Sequence, residues 1–230
     1  MNGALPHDGS QGVAAGTQPG APGDRRLVLA SNNAKKLVEL QALFTPLGVT
    51  LVRQGDLGIP EAEEPHATFI ENALAKARHA AAASGLPALA DDSGLCVDAL
   101  GGAPGVLSAR YATLFGQPKS DADNNRVLLQ QMAAQADAAQ RRARFVCALV
   151  AVRSADDPEP LMAFGRWDGV LLAGLRGDGG FGYDPLLYIP DAGCTVAEMP
   201  AEQKNRVSHR ARAAQQLLGL LDEVWGWRVA

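Results

Sequence analysis

Cysteine is scarce in this chain of 230 residues: Cys96, Cys147 and Cys194 are the whole set, odd in number and widely spaced. Such a set has no Cys-x-x-Cys pair, which excludes a disulfide framework and a thiolate zinc site. It fits a reducing cytoplasm, where free thiols pack as small apolar groups. Long apolar runs are missing too; nothing approaches the roughly 20 residues of a membrane helix. Residues 1–24 lack the basic start and apolar stretch of a signal peptide. They are mostly Gly, Ala, Pro, Gln and Ser, and read as a disordered tail or cloning remnant outside the fold. Excess charge is absent as well. The balance of 21 basic and 25 acidic side chains leaves −4, which argues against a nucleic-acid coat but leaves room for a small anion in a local basic pocket.

What is present is a core-forming composition, 47% hydrophobic, in a chain long enough to bury about 70–75% of its unfolded surface. Arg26–Ala30 reads as a buried strand stopping at Ser31-Asn32-Asn33, followed by a helix with Leu37, Leu40, Leu43 and Phe44 on one stripe. Val49–Arg53 reads as a second strand and Gly55–His66 as an acidic loop. Thr68-Phe69-Ile70-Glu71 matches a capping box opening a helix that runs to Ala83. Leu86–Ala90 reads as a strand ending in an Asp91-Asp92-Ser93-Gly94 turn, and Asp121 to about Gln135 as a helix. Phe145–Val152 and Leu161–Leu172 look like paired strands, Leu186–Ile189 like a short strand, and Ser208 to about Trp225 like a closing helix. Strands and helices alternate without a repeat, so the fold class is α/β or mixed α+β, in one domain over residues 25–226.

Four segments could carry chemistry. At Ser31-Asn32-Asn33-Ala34-Lys35-Lys36 a strand meets a helix N-terminus, where free N–H groups and a partial positive charge attract phosphate; an ordinary N-cap with solvated lysines is the alternative. At Asp91-Asp92-Ser93, adjacent strand side chains point to opposite faces, so one carboxylate can enter a cleft while the other braces the loop. Gly177–Gly182 contains a Gly-x-Gly-x-x-Gly string, but Tyr183-Asp184-Pro185 follows where a dinucleotide site needs a helix. What remains there is a flexible loop offering Phe181 or Tyr183 to stack on a base. Lys204, Arg206, His209 and Arg210 cluster at the start of the last helix, suited to phosphate or to a base carbonyl. Basic, acidic and aromatic positions in this combination point to a nucleotide phosphohydrolase or a nucleotide binder.

These strings also resemble a known family. Ser31–Glu39, Thr68–Ala73, Asp91–Leu95, Gly101–Gly105 with Ser108–Tyr111, Phe181–Pro185 and Ser208–Arg210 are similar, in order and spacing, to the inosine triphosphate pyrophosphatases. The resemblance implies an elongated, two-lobed α/β domain with a central mixed sheet flanked by helices and a cleft between the lobes. It implies Mg²⁺-dependent hydrolysis of ITP, dITP and XTP to the monophosphate and pyrophosphate, by a cytoplasmic homodimer. By position it makes Asp92 the general base and a metal contact, with Glu64 the second metal carboxylate. Ser31, Asn32, Asn33, Ala34, Lys35, Lys36 and Lys76 fall to the phosphates, with Ser93 also touching substrate. Phe181, Gly182, Tyr183, Asp184, Lys204, His209 and Arg210 fall to the base. One departure is Asn32, which stands where the family often has a glycine; the expectation is that it tolerates a positive φ. Donors near His209 and Arg210 would accept a 6-oxo purine and be left unpaired by adenine. Two rival readings stay open: a related house-cleaning pyrophosphatase with another specificity, and a silent nucleotide binder.

Overall fold

The structure, a computed structural model, describes residues 25–227; the tail expected over residues 1–24 lies outside the described residues. Seven strands form one mixed sheet: β1 (Arg25–Leu29), β2 (Val49–Arg53), β3 (Ala88–Val97), β4 (Arg142–Val152), β5 (Leu161–Leu171), β6 (Leu187–Ile189) and β7 (Cys194–Thr195). Their order is β2-β1-β3-β4-β5-β6-β7. β1 runs parallel to β2 and β3, and every other pairing is antiparallel. Five α-helices accompany them: α1 (Ala34–Phe44), α2 (Phe69–Ser84), α3 (Asp121–Gln131), α4 (Ala201–Val207) and α5 (His209–Trp225).

Period-two alternation sorts the strand residues between two helical layers. Leu27, Leu29, Leu89 and Leu149 pack with Leu40, Phe44, Leu217 and Leu221 of α1 and α5. Val28, Ala88, Ala90, Ala148 and Val150 point the other way, against Ala73, Ala77, Ala80 and Ala81 of α2. Farther along the same strands a second core collects Leu95, Val97, Phe145, Trp167 and Leu171 with Val127, Leu128 and Met132. On β3, Leu89 therefore belongs to one core and Leu95 to the other. Between them on the same face lie Asp91 and Ser93, a polar belt between the two cores.

Local details depart from the sequence expectations for identifiable reasons. The Asp91–Gly94 turn is the middle of β3 instead, because all ten residues from Ala88 to Val97 pair with β4. Partners for the buried carboxylates come from distant elements, so tertiary pairing overrides turn propensity. At α2, Thr68 Oγ accepts from the Glu71 N–H at 3.3 Å, as a cap should. The Glu71 carboxylate, however, accepts from the Thr68 hydroxyl at 2.6 Å, so only half of the capping box forms. α4 and a 3₁₀ run over Gly105–Phe115 were not anticipated. Ser208 caps α5 by accepting from the Ala211 N–H at 3.2 Å.

Candidate active site

The turn after β1 is built by its own side chains. Ser31 Oγ accepts from the Asn33 N–H at 3.2 Å, and Asn33 Oδ1 accepts from the N–H groups of Lys35 and Lys36 at 3.0 and 3.2 Å. Asn33 is thus the N-cap of α1, and Ala34 is its exposed first residue. The two lysines diverge. Lys36 runs inward to an ion pair with Asp91, whereas Lys35 Nζ donates to the Gly180 carbonyl at 3.1 Å, beside the Phe181 ring. Asn32 turns away, donating to Glu61 at 3.2 Å, and a Cβ at Gly55 would meet its Oδ1 at 2.5 Å. No non-glycine residue among those described has a positive φ. The expected left-handed conformation at Asn32 is therefore not adopted.

Asp91 and Asp92 face opposite sides of β3, as alternation requires. Asp92 sits above α2, where Lys76 Nζ lies 3.1 Å from its Oδ1 and Asn72 Nδ2 3.4 Å from its Oδ2. The same ammonium reaches Glu64 Oε1 and the Asp91 carbonyl, both at 2.8 Å, and Arg110 holds the other Glu64 oxygen at 2.8 Å. Burial pushes the Asp92 carboxyl above its ordinary range; Lys76 opposes this, and the neighbouring Glu64 charge adds to it. Burial also pushes Glu64 upward, but Lys76 and Arg110 outweigh it and hold that carboxyl low. One ammonium thus holds side by side a carboxyl with a raised pKa and one with a lowered pKa.

Asp91 takes the other face. Its Oδ2 accepts from Arg210 Nε at 2.9 Å and from the Ser93 hydroxyl at 2.7 Å, while Oδ1 takes Lys36. Burial alone would raise its pKa, but Arg210 and Lys36 hold it well below the carboxylate range. Arg210 is 2% exposed and also reaches Glu39 and Ser93. Lys204 Nζ bridges Glu39 at 2.9 Å and Asp184 at 2.8 Å. Its ammonium lies 4.6 Å from the Phe181 ring centroid.

These groups line two adjoining chambers. One, about 140 Å³, has walls from Phe145, Phe181, Tyr183, Asp184, Lys204 and His209. The other, about 570 Å³, holds Ser31, Glu64, Lys76, Asp91 and Arg110. Asn33, Lys36, Ala109 and Asp121 line both, so the chambers share a wall. His209 stacks on Phe145 at 4.8 Å, and burial with the nearby Arg210 charge keeps its imidazole neutral far below pH 6.5. Its Nδ1 is buried without a hydrogen-bond partner, a costly state unless something else supplies one. Among the described residues no group of three or more His, Cys, Asp and Glu could hold a metal; Glu64, which lines the larger chamber, and the buried Asp92 behind it are the acidic pair that share Lys76.

A model of the Ham1 family matches residues 27–220. The chain belongs to the Ham1 family. It is 67% identical over 211 residues to a dITP/XTP pyrophosphatase of Leptothrix cholodnii, covering 87% of this chain and 98% of that one. A dITP/XTP pyrophosphatase of Methylibium petroleiphilum is 62% identical over 208 residues, covering 87% and 99%. Among solved structures, the HAM1 protein from Coxiella burnetii superposes with a TM-score of 0.79 at 44% identity, covering 87% of this chain and all of that one. Every motif block behind the sequence resemblance falls inside the Ham1-matching span.

Within this Ham1 chain, Ser31, Asn33, Lys36, Ser93 and the residues at 181–184, 204, 209 and 210 line the chambers, with Glu64 and Lys76 in the larger one. Asn32, Ala34, Lys35 and Asp92 do not; Asp92 is buried behind the larger chamber, held by Lys76 and Asn72. Sequence reasoning missed Asp91, Glu39, Arg110 and Asp121. Asp91 stood in a quoted string, yet nothing local shows that it meets Arg210 and Lys36. Glu39 lay inside a quoted motif, one turn after Lys36, but nothing local shows that it meets Lys204 and Arg210.

Proposed function

We propose that residues 25–226 form a nucleoside triphosphate pyrophosphohydrolase that clears ITP, dITP and XTP as monophosphate and pyrophosphate. The observation that carries the reading is the adjacency, across the shared Asn33 and Lys36, of an aromatic, donor-bearing recess and a polar chamber lined by Lys36, Lys76, Arg110 and Glu64, with Asp92 behind Lys76. The dITP/XTP pyrophosphatases among its relatives support the same chemistry.

In this reading the base stacks on Phe181, beside the Phe145–His209 pair, and the phosphates extend past Asn33 and Lys36. Asp92, with its pKa raised by burial, accepts a proton from water as the water oxygen bonds to the α-phosphorus. The bond to the bridging oxygen breaks and pyrophosphate departs towards the cationic side chains of the larger chamber. Glu64 and Asp92 suit Mg²⁺, which takes one or two carboxylates plus substrate phosphates in place of an all-protein cage. When bound, the ion would neutralise phosphate charge.

Base selection falls to Lys204 and Arg210 in the recess wall, with His209 stacked on Phe145 beside them. Arg210 commits three of its five N–H groups to Asp91, Glu39 and Ser93, and Lys204 keeps a third N–H beyond Glu39 and Asp184. A 6-oxo purine satisfies such a donor and adenine does not, a mismatch that can supply on the order of 10⁴-fold discrimination. A homodimer and a cytoplasmic setting complete the proposal. Phe164 and Met162 on the exposed face of β5 are apolar surface of the kind a second copy covers. No helix among the described residues is long and apolar enough to cross a membrane.

Hydrolysis of dITP in oxygen-18 water tests the step. Label in the monophosphate supports attack at the α-phosphorus beside Asp92, and label in pyrophosphate rejects it.

A further inference from the structure

The base recess closes on a loop that has little reason to hold its shape. Gly177, Gly179, Gly180 and Gly182 fall within six residues, and Gly180 and Gly182 adopt φ of +71° and +62°. Glycine-rich backbone has the most conformational freedom to lose on ordering. Within the loop, Asp184 Oδ2 accepts from the Phe181 N–H at 2.9 Å and binds Lys204. That leaves Gly182, between the two aromatic residues, to be fixed from outside.

Helix α3 does so from both sides. The Gly182 N–H donates to Asp121 Oδ2 at 2.8 Å, and the Gly182 carbonyl accepts from Asn125 Nδ2 at 2.8 Å. Asp121 and Asn125 are four residues apart, hence on one helix face. Asn125 Nδ2 also donates to the Asp121 carbonyl at 2.9 Å, which fixes the orientation of its amide. Asn125 is 5% exposed, whereas Asp121 is exposed and lines both chambers.

We propose that Asp121 and Asn125 are positioning residues for nucleobase binding, clamping Gly182 so that Phe181 presents its ring to the base recess. The proposal rests on the functional reading above and deepens it. Neither residue is required to touch the base. Their loss should weaken ligands that carry a base and spare ligands that carry only phosphate.

The test measures competitive inhibition of dITP hydrolysis by inosine monophosphate and by pyrophosphate, in the wild type and in Asp121→Ala, Asn125→Ala, Asp121→Asn and Arg126→Ala. Arg126 lies on the same helix and, among the described residues, has Gln117 and Asp123 as its hydrogen-bond partners, so its variant reports on loosening α3 without freeing Gly182. The expected result is an increase on the order of tenfold in the inosine monophosphate inhibition constant for both clamp variants to alanine, the scale of losing one or two hydrogen bonds. Pyrophosphate inhibition should stay within about twofold, Asp121→Asn should recover most of the affinity because it keeps an acceptor, and Arg126→Ala should match the wild type. Equal weakening of both inhibitors, or no change in either, overturns the clamp. Should Asn125→Ala fail to fold, the exposed Asp121 pair of variants decides alone. A wild type that neither turns over dITP nor binds inosine monophosphate refutes the functional reading and the clamp with it; a competent wild type with unchanged variants refutes the clamp only.

Discussion

Arg210→Met is the substitution that most directly challenges the buried charge network. The guanidinium is 2% exposed and donates to Asp91, Glu39 and Ser93. Methionine fills similar space but leaves Asp91, whose side chain is fully buried, facing Lys36 as its remaining cation. Removing one partner of a buried ion pair typically costs about 3–5 kcal/mol, which for a domain of this size lowers Tm by roughly 6–20 °C. The pH dependence should change too. In the wild type the depressed Asp91 pKa contributes stability that is present above the unfolded value of about 3.9 and lost as pH falls through the lower folded value. Without Arg210 that depression weakens, so the variant starts less stable but loses less further stability than the wild type as pH falls below about 4. Thermal melts from about pH 2 to 7 read both effects, since the Asp91 contribution changes only below its unfolded pKa. The double variant Asp91→Asn with Arg210→Met should lose less than the two single losses added together, because the stranded charge is gone. A single-variant loss under about 1 kcal/mol, or strict additivity in the cycle, would refute the reasoning.

Further expectations follow from single contacts. Asp92→Asn should lower kcat by about 10²- to 10⁴-fold with a smaller change in KM; steady-state kinetics with dITP would show otherwise if Asp92 were only structural. His209 is held neutral in the fold, so its stabilising contribution is present above the unfolded pKa of about 6.5 and falls by up to about 1.4 kcal/mol per pH unit below it. His209→Gln should remove that acid slope in melts between pH 7 and 5, and an unchanged slope would reassign it. A Cβ at Gly165 would sit 1.9 Å from the His209 carbonyl and 2.7 Å from the Ala213 nitrogen. Gly165→Ala should therefore cost about 1–3 kcal/mol by forcing α5 off β5, read as a lowered Tm; an unchanged melt would contradict this packing.

Much of this architecture is legible in local pattern. The apolar stripe of α1, the Thr68 cap of α2 and the paired β4–β5 runs each announce themselves within a window of a dozen residues. The placement of Asp91 and Asp92 on opposite faces follows from alternation alone. What is not legible depends on long-range pairing. Asp91 to Gly94 has turn composition, yet it is mid-strand because β4 pairs with all of β3. Arg210 and Lys204 read locally as base-contacting cations, and only the fold shows that Glu39, 171 residues before Arg210 in the same contact, engages both. Asp121 reads as a helix-start acid; its hold on Gly182, 61 residues away, has no local signature. Asn32 shows the opposite case: freed from any need for positive φ, it packs over Gly55 and leaves the cleft to Asn33 and Lys36.

The central claim is a single reaction at a single bond, selected by the base. The most direct measurement incubates the purified protein with Mg²⁺ and dITP, XTP, ITP, GTP, ATP or UTP separately and resolves products by ion-exchange chromatography. Monophosphate and pyrophosphate from the inosine and xanthosine substrates, with ATP nearly untouched, is the predicted result. Diphosphate and orthophosphate, or equal turnover of ATP, would contradict it.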